Sequence, residues 1–206
     1  MKDVTVAILA GGDSRRFGSD KALKEFQGRP LVSHMLDIAR EISPTVLVVV
    51  SDGEHLERIK PHIKMGRVVV DPEDSTKSAL NGAVTAFEHA ETDYTLLLPI
   101  DTPLARPSLL KILVEMSPKH GAVVPSWPSG YIEPLHSVYM TEHAYYHGLK
   151  VLGQKSFEMH SLLNRLQNVL YVSTEALKQF DAKLETFKNF NTLGELKAAE
   201  GKYRSK

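Results

Sequence analysis

VTVAILAGGDSRRFGSDKAL, Val4 to Leu23, begins as an apolar run and breaks at a glycine pair. Val4–Leu9 is apolar almost throughout, the pattern of a strand covered on both faces. The segment after it, LAGGDSRRFGSDKAL from Leu9 to Leu23, leads from that strand toward a helix. It therefore lies at the C-terminal edge of a sheet, where open α/β sheets bind ligands. Gly11 and Gly12 remove side chains where a backbone must turn tightly and approach a ligand. Successive free N–H groups at such a turn can form an anion-binding concavity. Ser14, Arg15, Arg16 and Lys21 add hydroxyl, guanidinium and ammonium donors, a set suited to polyphosphate because charge-assisted bonds to its oxygens are strong. The spacing is neither the P-loop pattern nor G-x-G-x-x-G.

Working outward, Thr45–Val50, Val68–Val70 and Tyr94–Leu98 repeat the short, β-branched, buried-strand pattern. Leu31–Ile42, Ser78–Ala90 and Pro107–Met116 carry apolar residues at helical spacing. This alternation predicts an α/β fold, a mainly parallel sheet with helices on both faces. Gly121–Pro125, His136–Tyr139 and Val169–Val172 read as further strands. Ser156–Leu166 and Thr192–Glu200 read as helices, and Gly201–Lys206 as a frayed polar tail. No repeat, low-complexity linker or shift in composition divides the chain, so one domain over residues 1–206 is expected.

The 206 residues suffice for one well-filled core. Lys plus Arg and Asp plus Glu stand at 25 each, so no global field draws nucleic acid or an anionic membrane. Cysteine is absent, which excludes disulfides, thiolate metal sites and cysteine nucleophiles. No apolar run approaches the roughly 20 residues of a membrane helix. The N-terminus enters a strand directly, without the features of a signal peptide, so a cytoplasmic location is expected.

Two further stretches carry chemistry. LLLPIDTPL places Asp101 just past the strand Tyr94–Leu98, again at the ligand edge. Mg²⁺ prefers oxygen ligands and is usually held by one or two carboxylates plus substrate phosphates, which suits a metal role for Asp101. The alternative, a cap for the helix near Pro107, falls more naturally to Ser108 or Thr102. In NFNTLGEL, Asn189 and Asn191 flank one apolar residue and point to the same side of an extended segment. They are candidates for a substrate or metal contact, or for a plain turn. Asp71 ends the third strand, where on the pattern alone it is a turn acid helped by Pro72. The histidines are scattered; His143 and His147 lie four apart on a helical stretch, without the acids of a zinc site. Trp127, in PSWPSGYIEPLH, is suited either to an acceptor pocket or to covering the sheet edge. Lys155 carries a slight signal for acceptor binding.

The Leu9–Leu23 segment resembles the loop L-A-G-G-x-S-x-R-[FM]-G-x-D-K-A-L of nucleotidyltransferases with a Rossmann-like fold. Its wording is most similar to that of the molybdenum cofactor guanylyltransferases. Sugar-phosphate nucleotidyltransferases usually carry G-x-G-T-R-[ML] instead. The cytidylyltransferases of the molybdenum pathway usually carry A-A-G in place of Ala10, Gly11 and Gly12. NFNTLGEL resembles the family's N-[IV]-N-T-P-E-[DE]-L, with Leu193 and Gly194 departing from Pro-Glu. SALNGAV stands where the family has G-P-L-x-G, with Ser78 and Ala79 replacing Gly-Pro. The family's asparagine after the second strand has no match at Ser51 or Asp52.

The resemblance implies transfer of GMP from GTP to the phosphate of molybdopterin, with release of pyrophosphate and with Mg²⁺ as cofactor. It implies catalytic roles for Arg16, Lys21 and Asp101, with Asp101 as metal ligand. Leu9, Ala10, Gly11, Gly12, Lys21, Asp71 and Asp101 would bind the nucleotide. GTP and the molybdopterin cofactor are the expected partners, with transient contact to proteins that supply or accept the cofactor. The alternatives are cytidylyl transfer, another acceptor such as a sugar or cobinamide phosphate, or a nucleotide-binding module without catalysis.

Overall fold

The computed structural model describes residues 3–11, 20–73 and 75–204, the last three as backbone. In chain order its elements begin with β1 (Val4–Leu9), β2 (Glu25–Phe26), β3 (Arg29–Pro30), α1 (Leu31–Ile42), β4 (Val46–Val50), α2 (Gly53–Ile59) and β5 (Arg67–Val70). They continue with α3 (Ala79–His89), β6 (Tyr94–Pro99), α4 (Pro107–Glu115), β7 (Ala122–Ser126), β8 (Val138–Met140) and α5 (Thr141–Gly153). The last are α6 (Met159–Leu163), β9 (Val169–Ser173), α7 (Thr174–Leu177) and α8 (Leu193–Arg204).

The main sheet has seven strands in the order β5-β4-β1-β6-β8-β7-β9. All run parallel except β8, which opposes both β6 and β7. The expected mainly parallel sheet with helices on both faces is thus the observed one. Alternate residues of β1 serve two cores, because successive side chains of a strand point to opposite faces. Val4, Val6 and Ile8 pack with α1 and α4 on one side. Ala7 and Leu9 pack with α3, α5 and α6 on the other. Both faces are buried, so the central strands read as unbroken apolar runs.

A third, smaller cluster positions the site. Phe26 and Leu31 meet Phe190, Leu196 and Ala199, so the C-terminal segment closes onto the β2–β3 hairpin. Phe26 and Phe190 stack with ring centroids 6.0 Å apart. The hairpin turns through Gln27 (φ 52) and Gly28 (φ 73), the positive-φ pair of a tight two-residue turn.

Some boundaries differ from expectation. The helix expected over Ser156–Leu166 is confined to Met159–Leu163, with Ser156 bonding Ser161 just before it. The final helix runs on through Arg204, so the expected frayed tail at 201–204 is helical. Neither Thr102 nor Ser108 caps α4. Its first turn starts at Pro107, which has no N–H to satisfy, while Ser108 Oγ donates to Phe180 O at 3.3 Å.

Candidate active site

The register aligns three strand ends: Leu9 pairs with Val49 on β4 and with Pro99 on β6. The chain leaving β1 therefore emerges between Ser51 and Asp101. Ala10 and Gly11 both donate backbone N–H groups to Val49 O, at 2.9 and 3.1 Å, so neither is free for an anion, contrary to the expectation from the glycine pair; Gly11 contributes close approach instead. A Cβ on Gly11 would stand 3.2 Å from Ser51 N and 3.6 Å from Asp71 Oδ2, so glycine allows the close approach there. Around this point lies a cavity of about 350 Å³, lined by Leu9, Ala10, Gly11, Lys21, Asp71 and Asp101, with Ser51, Lys77, Ser78 and Leu135 among the other walls.

Asp101 sits in a turn fixed on three sides. Ile100 N donates to Leu9 O (3.2 Å), Thr102 Oγ1 to Pro99 O (3.1 Å), and Phe190 N to Asp101 O (3.0 Å). Lys21 Nζ donates to Asp101 Oδ2 at 2.5 Å and to Asn191 Oδ1 at 3.3 Å. The other carboxylate oxygen, Oδ1, is buried and has no partner among the described residues. Burying such an acceptor is costly unless something satisfies it.

The Asn191 backbone is held at the start of α8. Glu195 Oε2 accepts from Asn191 N (2.7 Å), and Thr192 Oγ1 accepts from Glu195 N (3.2 Å). Thr192 thus caps α8 despite Leu193 and Gly194, while Glu195 reaches back one residue beyond the cap, so the helix start is intact. Asn189 is exposed and makes no side-chain bond among the described residues, so only one of the two asparagines joins the cluster.

Asp71 lies on the cavity floor, buried, with Oδ1 accepting from Thr85 Oγ1 at 2.7 Å. Burial raises its carboxyl above the ordinary value, against the lowering pull of Thr85, Asn81 and the Lys77 charge. Ser78 caps α3 by accepting from Asn81 N at 3.1 Å, which gives this substituted residue a structural role. Lys77 and Ser51 had no assigned role in the sequence. Lys77 is a cation directly before a helix at the ligand edge, which is the signal that could have found it. Gly12, Ser14, Arg15 and Arg16 lie outside the described residues.

Other candidates fall away from the site. Trp127 donates to Glu133 Oε1 at 2.8 Å and meets Phe187 edge-on, so it covers the sheet rather than lining the cavity. Lys155 is exposed beyond α5 and is not among the cavity walls. His143 and His147 pack ring against ring at 4.7 Å. No three-ligand metal cluster occurs among the described residues. A larger depression of about 930 Å³, with Asp93, Lys119 and Asn168 in its walls, lies at the opposite sheet edge. None of its lining groups is a buried, unpartnered polar atom, whereas the smaller cavity holds Asp101.

A lysine, a buried carboxylate and a glycine turn thus meet at one sheet edge. The chain matches the MobA-like NTP transferase domain over residues 6–169. It belongs to that family. Among its relatives, the "Probable molybdenum cofactor guanylyltransferase" of Pyrococcus horikoshii is 31% identical over 83% of this chain and 86% of that protein. The protein of the same name from Methanosarcina mazei is 29% identical over 97% and 91% respectively. The crystal structure of molybdopterin-guanine dinucleotide biosynthesis protein A from Archaeoglobus fulgidus superposes with a TM-score of 0.84 at 26% identity, covering 98% of this chain and 100% of that one. This MobA-like chain is accordingly a nucleotidyltransferase. No described helix is long and apolar enough to cross a membrane.

Proposed function

We propose that the protein transfers GMP from GTP to the phosphate of molybdopterin, with Mg²⁺ held at Asp101. The observation that carries this reading is the meeting of Lys21, Asn191 and Asp101 beside the Gly11 turn, with one Asp101 oxygen buried and, among the described residues, unpartnered. A single carboxylate is enough when substrate phosphates complete the shell of Mg²⁺, so the residues present fit that ion. Asp101 would hold it, with Asn191 Oδ1 as a second oxygen in reach of the same cluster. When bound, the ion supplies charge neutralisation at the reacting phosphate oxygens.

The protein's own part is positioning and electrostatics. The Gly11 turn lets the nucleotide come close to Asp71, and Lys21 neutralises phosphate oxygens, a role also expected of Arg16, which lies outside the described residues. An oxygen of the acceptor phosphate attacks the α-phosphorus and forms the new P–O–P linkage. The bond from the α-phosphorus to the β-bridging oxygen breaks, and pyrophosphate leaves with that electron pair. The acceptor is already an anion, so no strong general base is needed. The choice of guanine and of molybdopterin is supported by the relatives' names and by the Ala10–Gly11–Gly12 wording. Incubation with GTP labelled at the α-phosphate tests it: label should pass to molybdopterin in equal amount with pyrophosphate. Label passing to a sugar phosphate, or from CTP instead, would replace this reading.

A further inference from the structure

Lys21 has to present one ammonium group to a phosphate, yet a lysine side chain is long and rotamer-rich. Its backbone is set by a short 3-10 turn, Lys21–Leu23, whose first N–H groups are capped by Asp20: Oδ1 accepts from Ala22 N at 3.1 Å. Ala22 itself is fully buried in the core beneath α1. The Asp20 side chain is only 9% exposed, so its charge requires compensation. Two residues of α2 provide it. His55 Nε2 stands 3.1 Å from Oδ1, and Arg58 Nε donates to Oδ2 at 3.2 Å. The His55 ring nitrogen lies at that distance but off the line of a hydrogen bond, so it serves Asp20 as a close polar neighbour. Burial alone would raise the Asp20 carboxyl; His55, Arg58 and the Ala22 N–H outweigh it and hold it below the ordinary value.

His55 and Arg58 lie three apart on α2 and so share a face. His55 is also fixed at its backbone, where its N–H donates to the N-cap Asp52 at 2.8 Å. Asp52 in turn bonds Ser51 and Lys77, both in the cavity wall. A continuous chain of contacts therefore runs from one wall of the cavity, through α2, to the turn that carries Lys21 on the other.

We propose that His55 and Arg58 are positioning residues that act through Asp20 to fix where Lys21 presents its ammonium to the triphosphate. The inference rests on the nucleotide-binding reading of this site, but not on the base or the acceptor. Neither residue touches the phosphate; each holds the turn that does.

The test is calorimetric titration of the full-length protein with Mg²⁺-tripolyphosphate, which carries no base. His55→Leu and Arg58→Ala should each weaken binding, His55→Leu by about tenfold, the cost of misplacing a contact group. His55→Gln, which keeps a donor near Asp20, should recover most of the loss. In a Lys21→Ala background neither change should weaken binding further, since there is no ammonium left to position. A purely structural role would instead lower binding by the same factor in both backgrounds, and that outcome overturns the proposal. So would wild-type affinity in both variants. Arg58 is half exposed, so Arg58→Ala keeps the test open should His55→Leu fail to fold. Wild-type protein that binds no tripolyphosphate would overturn the nucleotide reading, and this proposal with it.

Discussion

Lys21 Nζ and Asp101 Oδ2 lie 2.5 Å apart although eighty residues separate them in the chain. The ammonium neutralises the carboxylate proposed to hold the metal, so on that proposal lysine and Mg²⁺ would compete for the same charge until a triphosphate gave the lysine another partner. Lys21→Ala should therefore tighten Mn²⁺ or Mg²⁺ binding in the absence of nucleotide, by about tenfold for a partly screened pair of this kind. The same variant should lose about 10²- to 10³-fold in turnover, as expected for removal of one charge-stabilising donor. Metal titration and pyrophosphate release measure the two effects. Unchanged metal affinity would show that the pair does not govern access to Asp101.

Asp71→Asn separates stability from binding. Because the folded-state value of Asp71 is raised, the folded protein holds its proton more tightly than the unfolded chain does. The carboxyl thus favours folding at low pH, and that contribution is lost as pH rises from the ordinary value of 3.8 through the raised one. At neutral pH the buried charge is a cost, which Asn removes. Thermal melts at pH 7 should show the variant at least as stable as the parent, while its GTP affinity falls. A destabilised Asp71→Asn at pH 7 would contradict this.

Asp52 has the opposite sign. It accepts the His55 N–H and bonds Ser51 and Lys77, which lowers its carboxyl to about 2. Its contribution is full above the ordinary value of 3.8 and is lost as pH falls toward about 2. Asp52 is substantially exposed, so the magnitude is best taken from its capping role. Asp52→Ala should cost about 1 kcal/mol at pH 7, as loss of a helix cap does. Denaturant melts over a pH series should show the gap closing between about pH 4 and 2.

Gly11→Ala tests the close approach at the turn. The added methyl would meet the Ser51 backbone at 3.2 Å, so either the turn or β4 must shift by a few tenths of an ångström. GTP affinity should fall while the melting temperature changes little, because the strain falls at a strand end rather than in the core. Calorimetry and a thermal melt on the same sample separate the two.

The parts legible in the sequence were those with a long-range chemical contrast. The apolar run of β1 ends abruptly in glycines, and that of β6 ends in Asp101, so both marked the ligand edge. The β2–β3 hairpin was not legible, because two-residue strands carry no periodicity. Nor was α2, whose seven residues are too few to show a 3.6-residue repeat. Of Asn189 and Asn191, only Asn191 reaches the cluster, its backbone held by Glu195, while Asn189 stays exposed; the sequence alone could not choose between them. The His55–Asp20 contact joins residues with no local spacing signal; only the packing of α2 beside the Lys21 turn reveals it. Lys77 was hidden by the departure of Ser78 and Ala79 from the family's Gly-Pro, although Ser78 still starts the helix there.

The most direct measurement is pyrophosphate release by Asp101→Ala with GTP, Mg²⁺ and molybdopterin, beside a thermal melt of the same variant. Removal of the carboxylate proposed to hold the metal should reduce release by about 10³-fold, the loss typical of a preorganised charge at the reacting centre. The fold should survive, since Asp101 fixes its turn through its backbone carbonyl and not its side chain. Release at the parental rate from a folded Asp101→Ala protein would contradict the assignment of this cluster as the catalytic centre.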